Sequence, residues 1–157
     1  MRKLLAALGL LGGVWASNVT ATILSYDVTV TSGDWLIGDL KPFGVASQPS
    51  FSGTLKVNNA YSDGTALVGF NMVTGSQTWT EKSLASSNAA SFSFNSAGNL
   101  SNFGIVFGNV MTDSLAINSS GFSLTESKTN TTTGQYLAYG VACSGCVSFT
   151  PTRPSQV

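Results

Sequence analysis

The sequence predicts an all-β fold: a single-domain β-sandwich of the jelly-roll or immunoglobulin-like kind, with about eight or nine antiparallel strands, and a closed β-barrel as the alternative. Three observations predict it. Apolar and polar residues alternate with period two from end to end, helical periodicity is nearly absent, and turn-forming residues punctuate the chain at short intervals.

The chain begins with Arg2 and Lys3, followed by an almost wholly apolar run from Leu4 to Trp15 that closes on Val14-Trp15-Ala16. A positive start, an apolar middle and a small residue at the end form the layout of a secretory signal peptide. The run is shorter than the roughly 20 residues a bilayer span needs. Residues 1–16 are therefore expected to be a leader cut after Ala16, with Val19-Thr20-Ala21 as the alternative cleavage site. The folded domain is expected over 17–150, with 151–157 as a flexible tail.

The strands follow in order. In Thr22–Val30, Leu24, Tyr26, Val28 and Val30 share one face while Ser25, Asp27 and Thr29 share the other. Asp34–Leu40 adds a short strand around Trp35. Phe51, Leu55 and Val57 alternate with Ser52, Thr54 and Lys56. Thr65–Val73 places Ala66, Val68, Phe70 and Met72 on one side. Thr80 is placed to cap a single helical turn over Glu81–Ser87. Ala90–Phe94 alternates Phe92 and Phe94 with Ser91 and Ser93. Phe103–Val110 is apolar on both faces, Phe103, Ile105 and Phe107 on one and Val106 and Val110 on the other, which predicts a central strand or one packed against a partner. Phe122 and Leu124 mark a further strand. Tyr136–Ala142 and Val147–Phe149 form the last pair. Between the runs stand Ser32-Gly33-Asp34, Ser62-Asp63-Gly64, Gly75-Ser76, Ala97-Gly98-Asn99, Asn118-Ser119-Ser120-Gly121 and Thr133-Gly134, whose Gly, Asn and Asp residues suit tight turns. Lys128–Thr133 reads as a polar loop.

Composition excludes several functions. Charged residues are 9% of the chain, against about 25% in an average soluble domain, so Ser, Thr, Asn and Gly must make up the surface. Disorder is excluded by a 43% hydrophobic content with nine Phe. A nucleic-acid partner would require clustered Lys and Arg, which are absent. No second long apolar run follows the leader, so no membrane span is expected in the mature chain, and no cofactor is expected.

The chain has no histidine, which removes Ser-His-Asp and Cys-His catalysis. Glycoside hydrolysis needs only two carboxylates about 5–10 Å apart. The candidates are Asp27, Asp34, Asp39, Asp63, Glu81, Asp113 and Glu126, and no spacing pairs them; Asp34 and Asp39 would face opposite ways on a regular strand. Cys143-Ser144-Gly145-Cys146 is the one recognisable short motif. Zinc would want four ligands, and redox chemistry would want the first cysteine at a helix N-terminus. A β-turn disulfide is the better reading, with Cys143 and Cys146 pinning the last hairpin. No metal site is expected: Asp63 with Asn58 and Asn59 lacks the calcium-loop pattern. Trp79, Trp35 and Tyr61, with Tyr136 and Tyr139, could stack on sugar rings. Trp79 stands among Gln77, Thr78, Thr80 and Glu81, which suggests an exposed ring.

Several segments resemble bacterial exported proteins of the PEP-CTERM type: Tyr26-Asp27-Val28, Ser32-Gly33-Asp34-Trp35, Phe51-Ser52-Gly53-Thr54-Leu55, Phe92-Ser93-Phe94 followed by Gly98-Asn99-Leu100, and Cys143-Ser144-Gly145-Cys146-Val147-Ser148-Phe149-Thr150-Pro151. The resemblance implies a β-rich protein linked to the cell surface or biofilm matrix. The family's sorting tail, a Pro-Glu-Pro motif with an apolar helix and an Arg cluster, does not follow Pro151, so either truncation or release without an anchor is expected. The leading functional expectation is a secreted, non-enzymatic structural or matrix protein. It would self-associate through charge-poor strand edges and through the extended Ser17–Val30 segment, which could join a neighbour's sheet. The alternatives are a carbohydrate-binding module that takes extracellular polysaccharide and, third, a glycan-active hydrolase.

Overall fold

The computed structural model describes residues 21–31, 35–38, 50–75, 77–86, 88–109, 113–129, 132–134 and 136–152. The leader, Asp34, Asp39, Val110 and the last five residues lie outside the described residues, as do Asn130 and Thr131 of the expected polar loop. Among the described residues there are eleven strands: β1 (Ile23–Val30), β2 (Trp35–Gly38), β3 (Phe51–Asn58), β4 (Leu67–Thr74), β5 (Gln77–Thr80), β6 (Ala90–Phe94), β7 (Leu100–Asn109), β8 (Asp113–Asn118), β9 (Gly121–Thr129), β10 (Tyr136–Ser144) and β11 (Val147–Pro151). They form two antiparallel sheets, a five-stranded one in the order β11-β1-β3-β4-β5 and a six-stranded one in the order β2-β10-β9-β8-β7-β6. The fold is a β-sandwich, and the barrel alternative is set aside because the sheets do not close.

Two strands go beyond the sequence reading. β5 is only four residues long and carries a single apolar side chain, so period two has nothing to act on. β8 has the alternation, but in only two large residues, Leu115 and Ile117. The turn expected over Glu81–Ser87 is a 3-10 turn at Glu81–Ser83. There the Thr80 N–H donates to Ser83 Oγ at 3.3 Å.

Alternation builds the core. Tyr26, Val28 and Val30, Leu55 and Val57, and Phe70 and Met72 turn inward from one sheet. Phe103, Ile105 and Phe107, Leu115 and Ile117, and Phe122 and Leu124 meet them from the other. Aromatic pairs bridge the layers: Phe70 stacks on Phe107 with centroids 4.5 Å apart, Phe51 meets Phe122 at 5.6 Å, and Phe103 meets Phe149 edge-on at 5.3 Å. A polar tie joins them, since the Leu100 N–H donates to the Tyr26 hydroxyl at 2.9 Å.

The expected faces need two corrections. Val68 was expected inside with Ala66, Phe70 and Met72, yet it is 43% exposed. The β3–β4 register passes from Lys56–Gly69 to Val57–Leu67, so Val68 is the extra residue of a bulge and is turned outward. Strand β7 lies between β6 and β8, as the central placement required, but its second face is at the surface, with Val106 45% exposed.

The C-terminal elements also differ from expectation. β10 and β11 are not a hairpin: β10 pairs with β9 and β2, while β11 pairs with β1 in the opposite sheet. The Cys143–Cys146 disulfide, Cα atoms 5.9 Å apart, therefore closes a corner where the chain crosses between sheets. Gly145 makes the corner possible with φ +69°. Cys146 is anchored on both sides, because its N–H donates to Ser120 O at 3.1 Å and its carbonyl accepts from the Thr31 N–H at 2.9 Å. The domain also runs past 150: Pro151 pairs with Tyr26, and the Thr152 N–H donates to Ser25 O at 2.8 Å.

Candidate functional site

Trp79 is fully buried, not exposed. Its polar neighbours are the outward and end positions of a short edge strand, and the one inward position belongs to the ring. The indole Nε1–H donates to Thr74 Oγ1 at 2.7 Å, and the Thr74 hydroxyl donates in turn to Glu126 Oε1. Thr74 and Glu126 are themselves buried. Since Thr74 and Trp79 lie in the five-stranded sheet and Glu126 in the six-stranded one, the chain of donors spans the sandwich. It satisfies groups that would otherwise be costly inside an apolar core. Trp79 is thus a core plug and offers no ring to a sugar.

Of the other aromatic candidates, Tyr61 is 49% exposed in the loop after β3. Trp35 opens β2, its backbone paired with Ala142; its side chain lies outside the described residues, as do those of Tyr136 and Tyr139. The structure does not gather Trp79 and Tyr61 into one face, since one is in the core and the other on a loop.

Asp27 is exposed on β1, and three other described carboxylates hold local structure. Asp63 Oδ1 accepts from the Thr65 N–H at 2.9 Å, Glu81 Oε2 from the Phe70 N–H at 3.3 Å, and Asp113 Oδ1 from the Ser127 N–H at 2.8 Å. Asn58 accepts from the Ala60 N–H within its own turn, and Asn59 accepts from the Thr22 N–H just before β1, so the side-chain oxygens of the calcium candidate are each held by a backbone N–H. Among the described residues no three His, Cys, Asp or Glu side chains gather as metal ligands. No helix among them is long and apolar enough to cross a membrane.

A concave surface lies elsewhere, on the outer face of the six-stranded sheet. Register sets Ser91, Gly104 and Asn118 side by side across β6, β7 and β8, with Ser93 beside Asn102. Two shallow grooves of about 280 Å3 and 370 Å3 adjoin there, and Ser91, Gly104 and Asn118 line both. Sequence reasoning noted Ser91 and Ser93 only as a wet strand face. Which residues neighbour them across the sheet depends on pairing register, and no local pattern encodes that.

The fold and these surfaces define a two-sheet antiparallel β-sandwich with a hydroxyl- and amide-lined trough on one outer face. Comparison with known protein families, with curated proteins and with solved structures finds no match.

Proposed function

We propose that the chain is exported and serves as a non-enzymatic structural protein of the extracellular matrix or cell surface. The observation that carries this reading is the exterior of the six-stranded sheet. The outward positions of β6 to β9, including Ser91, Ser93, Asn102, Ser114, Ser123 and Thr125, bear no charged side chain among the described residues. Such a face contacts neutral polymers and other copies without the desolvation cost of stripping ions. The leader-like N-terminus and the Cys143–Cys146 disulfide suit an oxidising exterior.

The reading places association on the sheet faces. Among the described residues the edge strands β5, β6 and β11 are short, of four, five and five residues, and short edges are a protection against edge-to-edge pairing. The Phe92 N–H on the β6 edge is taken by Ser62 O at 2.9 Å. β1 is paired on both sides, by β3 and β11, so Ile23–Val30 is not available to a neighbour's sheet.

Expression of the full chain in a bacterial host, with fractionation and intact-mass analysis, tests the proposal. The expected result is a protein beginning at Ser17 in the extracellular matrix fraction and retained there at high salt. A cytosolic protein with its leader intact would refute it.

A further inference from the structure

The trough over Gly104 has the chemistry of a binding site that reaches beyond a structural role. Gly104 forms its floor because it has no side chain, and Ser91 and Asn118 flank it on the neighbouring strands. A Cβ built on Gly104 would meet Ser91 Oγ at 3.6 Å and Asn118 Cβ at 3.9 Å, both ordinary contacts. The glycine is therefore not required by crowding, and a side chain there would occupy the trough.

The polar groups around it have hydrogen bonds to give. Asn118 Oδ1 accepts from the Ser120 N–H at 2.9 Å and the Gly121 N–H at 2.7 Å, which fixes the amide and leaves Nδ2 as a donor. Asn102 Oδ1 accepts from the Ser119 hydroxyl, leaving its own Nδ2 likewise. The Ser91 and Ser93 hydroxyls have no partner among the described residues. Beyond Gly104 the trough turns apolar over Ala89, Val106 and Ala116.

No lining residue of either groove carries a charge. A charged ligand would lose hydration with no counter-charge to replace it. A neutral ligand that carries many hydroxyls and also C–H faces matches both ends of the trough. We propose that the trough binds a segment of neutral polysaccharide. The inference rests on the exported reading only for where the polymer is met; the binding itself is measured on purified protein, so either can fail alone.

The test is affinity electrophoresis of the purified full chain in native gels containing dextran, laminarin or methylcellulose, with alginate as the charged probe. Retardation is expected in at least one neutral polymer. Gly104→Leu, which fills the trough, is expected to weaken it at least tenfold while keeping the wild-type unfolding midpoint. The Ser91→Ala/Ser93→Ala double variant, which changes only outward hydroxyls, is expected to weaken it about fivefold and keeps the test decisive if Gly104→Leu misfolds. No retardation in any neutral polymer, retardation unchanged in both variants, or retardation by alginate alone would overturn the proposal.

Discussion

Replacing Thr74 by valine preserves shape and removes one hydroxyl from the centre of the sandwich. That hydroxyl accepts from Trp79 Nε1–H at 2.7 Å and donates to Glu126 Oε1. All three side chains are at most 1% exposed, so water does not stand in for the lost partner in the native state. An orphaned buried donor costs about 1–3 kcal/mol, and a hydrogen bond to a carboxylate contributes about 1.5–3 kcal/mol. The added methyl group returns part of this through apolar contact, of the order of 1 kcal/mol. The expected net loss is about 2–4 kcal/mol. At about 3–5 °C per kcal/mol for a domain of this size, Tm should fall by about 10 °C. Urea unfolding followed by circular dichroism, under oxidising conditions, gives the free energy. Adding Trp79→Phe removes the orphaned donor, so the double variant should lose at least ~1 kcal/mol less than the sum of the single changes. A Thr74→Val protein within about 0.5 kcal/mol of wild type, with no coupling to Trp79, would refute the link between the sheets.

Three further outcomes are expected. Gly53→Ala should destabilise by about 2–3 kcal/mol by overpacking, because the new Cβ would lie 2.3 Å from the Asn71 carbonyl oxygen; Gly104→Ala, whose Cβ would make only ordinary contacts at 3.6 and 3.9 Å, should fall within about 0.5 kcal/mol of wild type in the same denaturation series. Reducing the Cys143–Cys146 disulfide should cost about 2 kcal/mol, the loop-closure value for so short a ring, read as a drop in Tm on adding dithiothreitol, and the protein should remain folded because Cys146 keeps its backbone bonds to Thr31 and Ser120. In a Trp35→Phe protein freed of its leader, Trp79 fluorescence should be blue-shifted and resistant to acrylamide, as befits a fully buried indole; emission typical of a solvated ring would contradict the core placement.

Sequence by itself determined the class of fold and most of its inward face. Tyr26, Val28, Val30, Phe92, Phe103, Ile105, Phe107 and Leu124 are core residues because side chains on a strand alternate between faces, a rule that needs no knowledge of the neighbouring strand. It also showed that Cys143 and Cys146 could bond, since a turn brings residues three apart within reach. Tertiary structure alone decided what each strand lies beside. The bulge that turns Val68 outward, the corner that sends β11 to β1 and not to β10, and the row of Ser91, Gly104 and Asn118 are all consequences of pairing register. Trp79 shows the same division most plainly. Its polar neighbours belong to its own strand, whereas its burial depends on Phe107, Thr74 and Glu126, each supplied by a different strand. Local alternation is written in adjacent residues. Contacts between strands depend on how distant segments align, and that alignment is fixed only when the two sheets close over a common core.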